Sequence, residues 1–148
     1  MLEAAKYSAV EKLRNGYQVE IRALRPDDQA NLIAAFGRTS SQSRYRRFFA
    51  LKRGFTEGEI AFFLNIDFIN HVALVAVVDE GGRPMIVGGG RYIVVQSGKA
   101  EVAFAVVDQY QGQGIGGALL RHLAAIARSA KLQELIAEVL SARISQMD

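Results

Sequence analysis

The sequence predicts an α+β fold, and three observations carry that prediction. Apolar segments, β-branched or alternating with polar residues, recur at 17–24, 72–78, 85–95, 101–107 and 135–140. Turn chemistry separates the middle three, first Glu80-Gly81-Gly82-Arg83-Pro84 and then Ser97-Gly98, which reads as an antiparallel meander. Helical spacing lies on both sides of the meander, between residues 26 and 64 and again from 115 to 130. The predicted order is strand, helices, three strands, helix, strand: a mixed, mostly antiparallel sheet flanked by helices.

Each element has its own signal. Tyr17, Val19, Ile21 and Ala23 alternate with Gln18, Glu20, Arg22 and Leu24 in the first strand. Pro26-Asp27-Asp28 starts a helix with the stripe Leu32, Ile33, Phe36, ended by Gly37. Ser40 or Ser41 caps a second helix carrying Tyr45, Phe48 and Phe49, and Thr56-Glu57-Gly58-Glu59 is a capping box for a third. Gly88-Gly89-Gly90 inside a strand marks a bulge or a surface where a helix packs on bare backbone. In the last helix Ile115, Leu119, Leu123, Ile126 and Ala130 share one face, with His122 at its edge as a surface-boundary histidine.

The 148 residues read as a single domain, 1–148, half hydrophobic and 22% charged. The absence of cysteine excludes disulfides, thiolate metal sites and a cysteine nucleophile. Glu3, Lys6, Glu11, Lys12 and Arg14 break any signal-peptide core, and the apolar runs are too short to span a bilayer. A cytoplasmic protein without membrane, metal or nucleic-acid partners is expected. The net charge is only +3, and the basic cluster Arg44, Arg46, Arg47, Lys52, Arg53 reads as a solvated helix face beside a loop, the alternatives being a site for an acidic partner or ligand phosphate and, behind it, nucleic acid.

The chemistry concentrates in Gln111-Gly112-Gln113-Gly114-Ile115-Gly116-Gly117, which joins a strand to a helix. Unpaired N–H groups at a helix start, with no side chains in the way, form a cradle for a phosphate or pyrophosphate. Gly112, Gly114 and Gly117 satisfy the dinucleotide fingerprint in letter, and Glu138 lies at a plausible spacing for a ribose. That fingerprint belongs on the first strand of a longer βαβ series, whereas this run follows a meander. No Gly-Lys-Ser/Thr follows, so a P-loop is excluded.

Gln111-x-x-Gly114-x-Gly116, after Val106 and before a Leu-Leu helix, resembles the acyl-CoA pyrophosphate loop of the GNAT acetyltransferase superfamily. The element order resembles that fold from residue 17 onward. Residues 21–28 (Ile-Arg-Ala-Leu-Arg-Pro-Asp-Asp), 43–49 (Ser-Arg-Tyr-Arg-Arg-Phe-Phe) and 100–104 (Ala-Glu-Val-Ala-Phe) are similar to the GNAT domains of bacterial protein-lysine acetyltransferases. Some of those domains are fused to, or act on, acyl-CoA synthetases. The resemblance implies acetyl-CoA as co-substrate, with the pyrophosphate held by the amides of Gln111, Gly112, Gln113, Gly114, Ile115, Gly116 and Gly117. It also implies that Val106, Val107 and Asp108 line the pantetheine arm on a strand splayed from its neighbour, one N–H facing the thioester oxygen.

Glu101 is the candidate base, mid-strand beside Ala103 and Ala105 on the same face; the alternative is an edge glutamate balancing Lys99 or Arg91. No general acid stands out, since Tyr92 and Tyr110 read as core and loop packing. Glu138-Val139-Leu140 resembles the family's fifth strand, but the usual asparagine, last helix and two strands do not follow. An unpaired apolar edge beside that strand, open to a homodimer, is therefore expected. Three functions remain open: acetylation of a protein lysine, acetylation of a small amine, and a non-catalytic acyl-CoA-binding module.

Overall fold

The computed structural model describes residues 3–14, 16–28, 66–136 and 141–143. The expected helices between residues 29 and 64, the basic cluster at 44–53 and Glu138 lie outside the described residues. Within them the chain forms β1 (Ser8–Lys12), β2 (Gln18–Ala23), β3 (His71–Glu80), β4 (Arg83–Gln96), β5 (Lys99–Val106), α1 (Ile115–Ser129), β6 (Glu134–Ile136) and β7 (Ser141–Arg143). Short 3₁₀ turns stand at Ala4–Lys6, Pro26–Asp28 and Asp108–Tyr110.

The strands form one sheet in chain order, β1 to β7. Every neighbouring pair is antiparallel except β5–β6, which is parallel and is bridged by α1, the crossover that parallel strands require. Two strands lie beyond the expected set. β1 precedes the first predicted strand and pairs with it from Ser8↔Arg22 to Lys12↔Gln18. β7 pairs with β6 over three residues, so the edge expected to be open has a partner there.

The strand register assigns each residue to a face. Val19, Ile21, Val72, Leu74, Gly88, Gly90, Tyr92, Val102 and Phe104 share the face on which α1 lies. Ile115, Leu119, Leu123, Ile126 and Ala127 are buried against it, whereas Ala130, expected on the stripe, is exposed past the helix end. Both readings of the glycine triplet hold. The register slips by one between Ala76↔Gly88 and Val77↔Ile86, which makes Val87 a bulge residue. A Cβ on Gly88 would stand 3.3 Å from Ile115 Cγ2, and one on Gly90 would stand 3.1 Å from Leu123 Cδ1. Helix α1 can lie this close to β4 only over bare backbone.

The opposite face buries Ala73, Val75 and Ala105 and carries a group of polar side chains as well. Register places Arg22, His71, Arg91 and Glu101 on it together. Arg22 is buried and held by a fork–fork pair, its Nη1 donating to Asp28 Oδ2 at 2.9 Å and Nη2 to Oδ1 at 2.8 Å. The Arg25 N–H donates to the same carboxylate at 2.7 Å, tying β2 to the turn that follows. Burial alone would raise the Asp28 carboxyl; the Arg22 and Arg25 hydrogen bonds and charges together outweigh it and hold it low.

Candidate functional site

The glycine-rich loop begins where β5 ends. Val107 N–H donates to Val87 O at 2.8 Å, and Tyr110 N–H donates to Val107 O at 2.9 Å, so both main-chain groups of Val107 serve the fold. Antiparallel alternation then turns the main-chain groups of Phe104 and Val106 to the other edge of β5, the edge that β6 occupies. There the described ladder runs from Lys99↔Glu134 to Glu101↔Ile136. The Val106 carbonyl accepts from Gln111 Nε2 at 3.0 Å, so the glutamine at the head of the loop ties it back to the strand it leaves. Of the three residues expected along the donor arm, Val106 thus turns its N–H to that edge and Val107 does not.

Gly112 (φ 81°) and Gly114 (φ 97°) hold left-handed conformations that favour glycine. Gly114 is the N-cap of α1 and offers no side chain to the first-turn N–H groups, and that turn holds no acidic residue. The amides of Ile115, Gly116 and Gly117 therefore open toward the loop with the positive end of the helix dipole behind them. Gly116 has a second role, because a Cβ there would stand 3.3 Å from Phe104 Cε2. The loop, the helix start and β5 are packed into one unit. Tyr110 donates its hydroxyl to Glu80, which fixes the turn before the loop to the end of β3.

Glu101 projects from β5 as an exposed carboxylate, on the same face as Ala103 and the half-buried Arg91. Burial pushes the Arg91 guanidinium down to about 10, and the attraction of Glu101 opposes that shift, so Arg91 stays charged near neutrality. His71, buried on this face opposite Ile93, is pushed down to about 4 by burial and by the Arg91 charge, against the pull of Asp67. It is a neutral imidazole at pH 7. Tyr92 is fully buried and pushed up to about 12, a core residue as expected.

A second polar cluster escaped sequence reasoning. Glu11 of β1 accepts from Arg121 Nη2 at 2.7 Å and pairs with His122 Nε2, while the Tyr7 hydroxyl pairs with His122 Nδ1. An Nε2-protonated imidazole satisfies both partners, donating to Glu11 and accepting from Tyr7. His122 is the clasp between the N-terminal strand and α1. The missed signal was Asn15-Gly16, a strong hairpin turn dipeptide ahead of the first predicted strand.

Comparison with known proteins agrees with this geometry. The sequence matches the Acetyltransferase (GNAT) family over residues 33–145. It is 34% identical over 120 residues to Acetyltransferase PA5475 of Pseudomonas aeruginosa, a match covering 80% of this chain and 64% of that protein. It is 30% identical over 132 residues to Acetyltransferase Pat of Mycolicibacterium smegmatis, covering 88% of this chain and 39% of that protein. The chain thus spans less than two thirds of either relative. Among solved structures, the GNAT domain of S. lividans PAT superposes with a TM-score of 0.79 at 32% identity, covering 88% of this chain and 77% of that one. A cAMP-binding acyltransferase from Mycobacterium smegmatis superposes at 0.60 with 27% identity, covering 93% and 40%. With its sheet order, its glycine loop at the end of β5 and its α1 crossover, the chain belongs to the Acetyltransferase (GNAT) family.

Proposed function

We propose that this domain transfers an acetyl group from acetyl-CoA to a primary amine, with a protein lysine as the favoured acceptor and Glu101 as the base. One observation carries the reading: a single strand, β5, bears an exposed carboxylate at Glu101 and runs into an uncapped helix start over left-handed glycines. Glu101 and Val106 are five residues apart, about 17 Å at the usual strand rise. An extended donor arm laid along β5 would bring its thioester from the loop toward Glu101.

The acceptor nitrogen attacks the thioester carbonyl carbon, forming the N–C bond. Glu101, directly or through a water, takes the proton that the amine must lose. The Arg91 charge on the same face disfavours an incoming ammonium and so favours the neutral amine. The carbonyl oxygen gains negative charge facing a main-chain N–H on the edge of β5 between the loop and Glu101. Collapse of that oxyanion breaks the C–S bond and releases the coenzyme A thiolate. The lysine acceptor draws support from the likeness to proteins named Pat and from the motifs shared with protein-lysine acetyltransferases, some of which act on acyl-CoA synthetases.

Calorimetry with acetyl-CoA, then thiol release with an acyl-CoA synthetase and with small amines, tests the reading. Glu101→Gln should keep donor binding and lose about 10²–10⁴-fold in rate. Full activity of that variant from pH 6 to 9 would remove Glu101 from the mechanism. Release with small amines alone would replace the acceptor, and binding without release on any acceptor would make this a non-catalytic acyl-CoA module.

A further inference from the structure

The glycine loop offers a polyanionic donor no cationic side chain: residues 111–117 contain neither lysine nor arginine. Two guanidinium groups from elsewhere stand against it. Arg121 Nη1 lies 3.5 Å from where a Cβ on Gly117 would be, but the same side chain is bound through Nη2 to Glu11, which offsets its charge. Arg14 Nε lies 3.8 Å from where a Cβ on Gly114 would be. It is exposed, and among the described residues no carboxylate pairs with it.

The fold fixes Arg14 in that place. It sits in the β1–β2 turn, which is closed by Leu13 N–H to Tyr17 O at 2.6 Å and Gly16 N–H to Leu13 O at 3.0 Å. Leu13 beside it is buried, and Gly16 takes a left-handed conformation at φ 90°. The strand leading into the turn is clasped to α1 through Glu11 and Tyr7, on the helix whose N-terminus opens the loop. The hairpin therefore cannot swing away from the loop without breaking that clasp.

We propose that Arg14 is a phosphate-binding residue of the donor site, closing the loop from the hairpin side with the charge that the loop lacks; this rests on the acyl-CoA reading above. A guanidinium presents a rigid fork of N–H donors matched to phosphate oxygens. Coenzyme A carries phosphate at two places, the pyrophosphate and the ribose 3′-phosphate, and both have the chemistry that Arg14 recognises.

The test is calorimetric titration of the whole chain and its Arg14→Gln variant with coenzyme A and with dephospho-coenzyme A. Arg14→Gln should bind coenzyme A about 10- to 100-fold more weakly, with unchanged melting and a flatter salt dependence. Arg14→Lys should recover part of the loss. If the contact is the 3′-phosphate, the deficit disappears with dephospho-coenzyme A; if it is the pyrophosphate, the deficit persists. Equal affinity of wild type and Arg14→Gln for coenzyme A, both binding, overturns the role of Arg14 and leaves the acyl-CoA reading standing. Failure of the wild-type chain to bind coenzyme A overturns both.

Discussion

The two faces of the sheet both bury apolar residues, but only one of them also holds charged groups within its central strands. On the α1 face, Val19, Ile21, Leu74, Tyr92, Leu119 and Leu123 close a core of buried side chains. On the other face, Arg22, His71 and Arg91 sit within the same strands, buried or half-buried, with Glu101 exposed beside them. Apolar burial tolerates imperfect neighbours, since each removed methylene costs about 1 kcal/mol. A buried charge tolerates none, because its stability depends on one specific partner. The polar face is thus the more fragile one, and it is also the face that carries the proposed chemistry.

The sharpest way to break this comparison is to remove one partner on each face. Asp28→Ala strips Arg22 of its fork and leaves a buried guanidinium uncompensated, at an expected cost of about 3–5 kcal/mol in denaturant unfolding. Replacing both partners with apolar residues, Arg22→Met with Asp28→Leu, should recover most of that loss. Leu119→Ala, at a fully buried position on the other face, should cost about 2–5 kcal/mol with no second substitution that restores it short of refilling the cavity. If the double replacement on the polar face stays as unstable as Asp28→Ala, the loss there is one of packing rather than of unpaired charge.

The faces should also part company as pH falls. The unfolded chain takes up a proton at a histidine near pH 6.5, whereas folded His71 does so only near 4. Between those values the unfolded state binds more protons, so stability rises with pH across that window and is lost as pH drops through it. The histidine contribution is up to about 3 kcal/mol between pH 7 and pH 4. Asp67, held low by the Ile69, Asn70 and His71 N–H groups, adds a loss of the same sign at the acid end. The decisive quantity is therefore the difference from His71→Asn, which should show a shallower fall from pH 6.5 to 4. Parallel pH profiles would mean that His71 is solvated and takes up its proton normally in the folded state.

The same contrast explains what the sequence could and could not disclose. The α1-face elements were legible because burial writes itself into composition: β3, β4, β5 and α1 fall within a few residues of the predicted segments. β1 was not, since Ser8, Val10 and Lys12 are exposed on an edge strand and no alternation marks it. The site was half legible. The glycine loop and Glu101 were named, but the division of labour between Val106 and Val107 depends on the β4–β5 register, Gly88↔Val106 with the Val107 N–H on Val87 O, which spacing does not reveal. The approach of Arg14 and the Glu11 clasp arise from contacts across 100 residues or more, and no local pattern encodes them.

The smallest expected effect shows that the apolar face is not merely a support. Gly88→Ala would place a Cβ 3.1 Å from the Ala105 carbonyl oxygen and 3.3 Å from Ile115 Cγ2. The carbonyl is locked in the β4–β5 ladder, so α1 is the part that yields, at an overpacking cost of about 1–2 kcal/mol. Ile115 is the first residue of α1, next to the N-cap Gly114, so any retreat of the helix carries the cradle with it. Gly88→Ala should therefore raise the KM for acetyl-CoA several-fold while leaving the acceptor KM alone, although it touches no ligand. The reverse pattern, with only the acceptor KM affected, would show that the strain passes through β4 to Arg91 and Glu101, and the two faces would then be mechanically one.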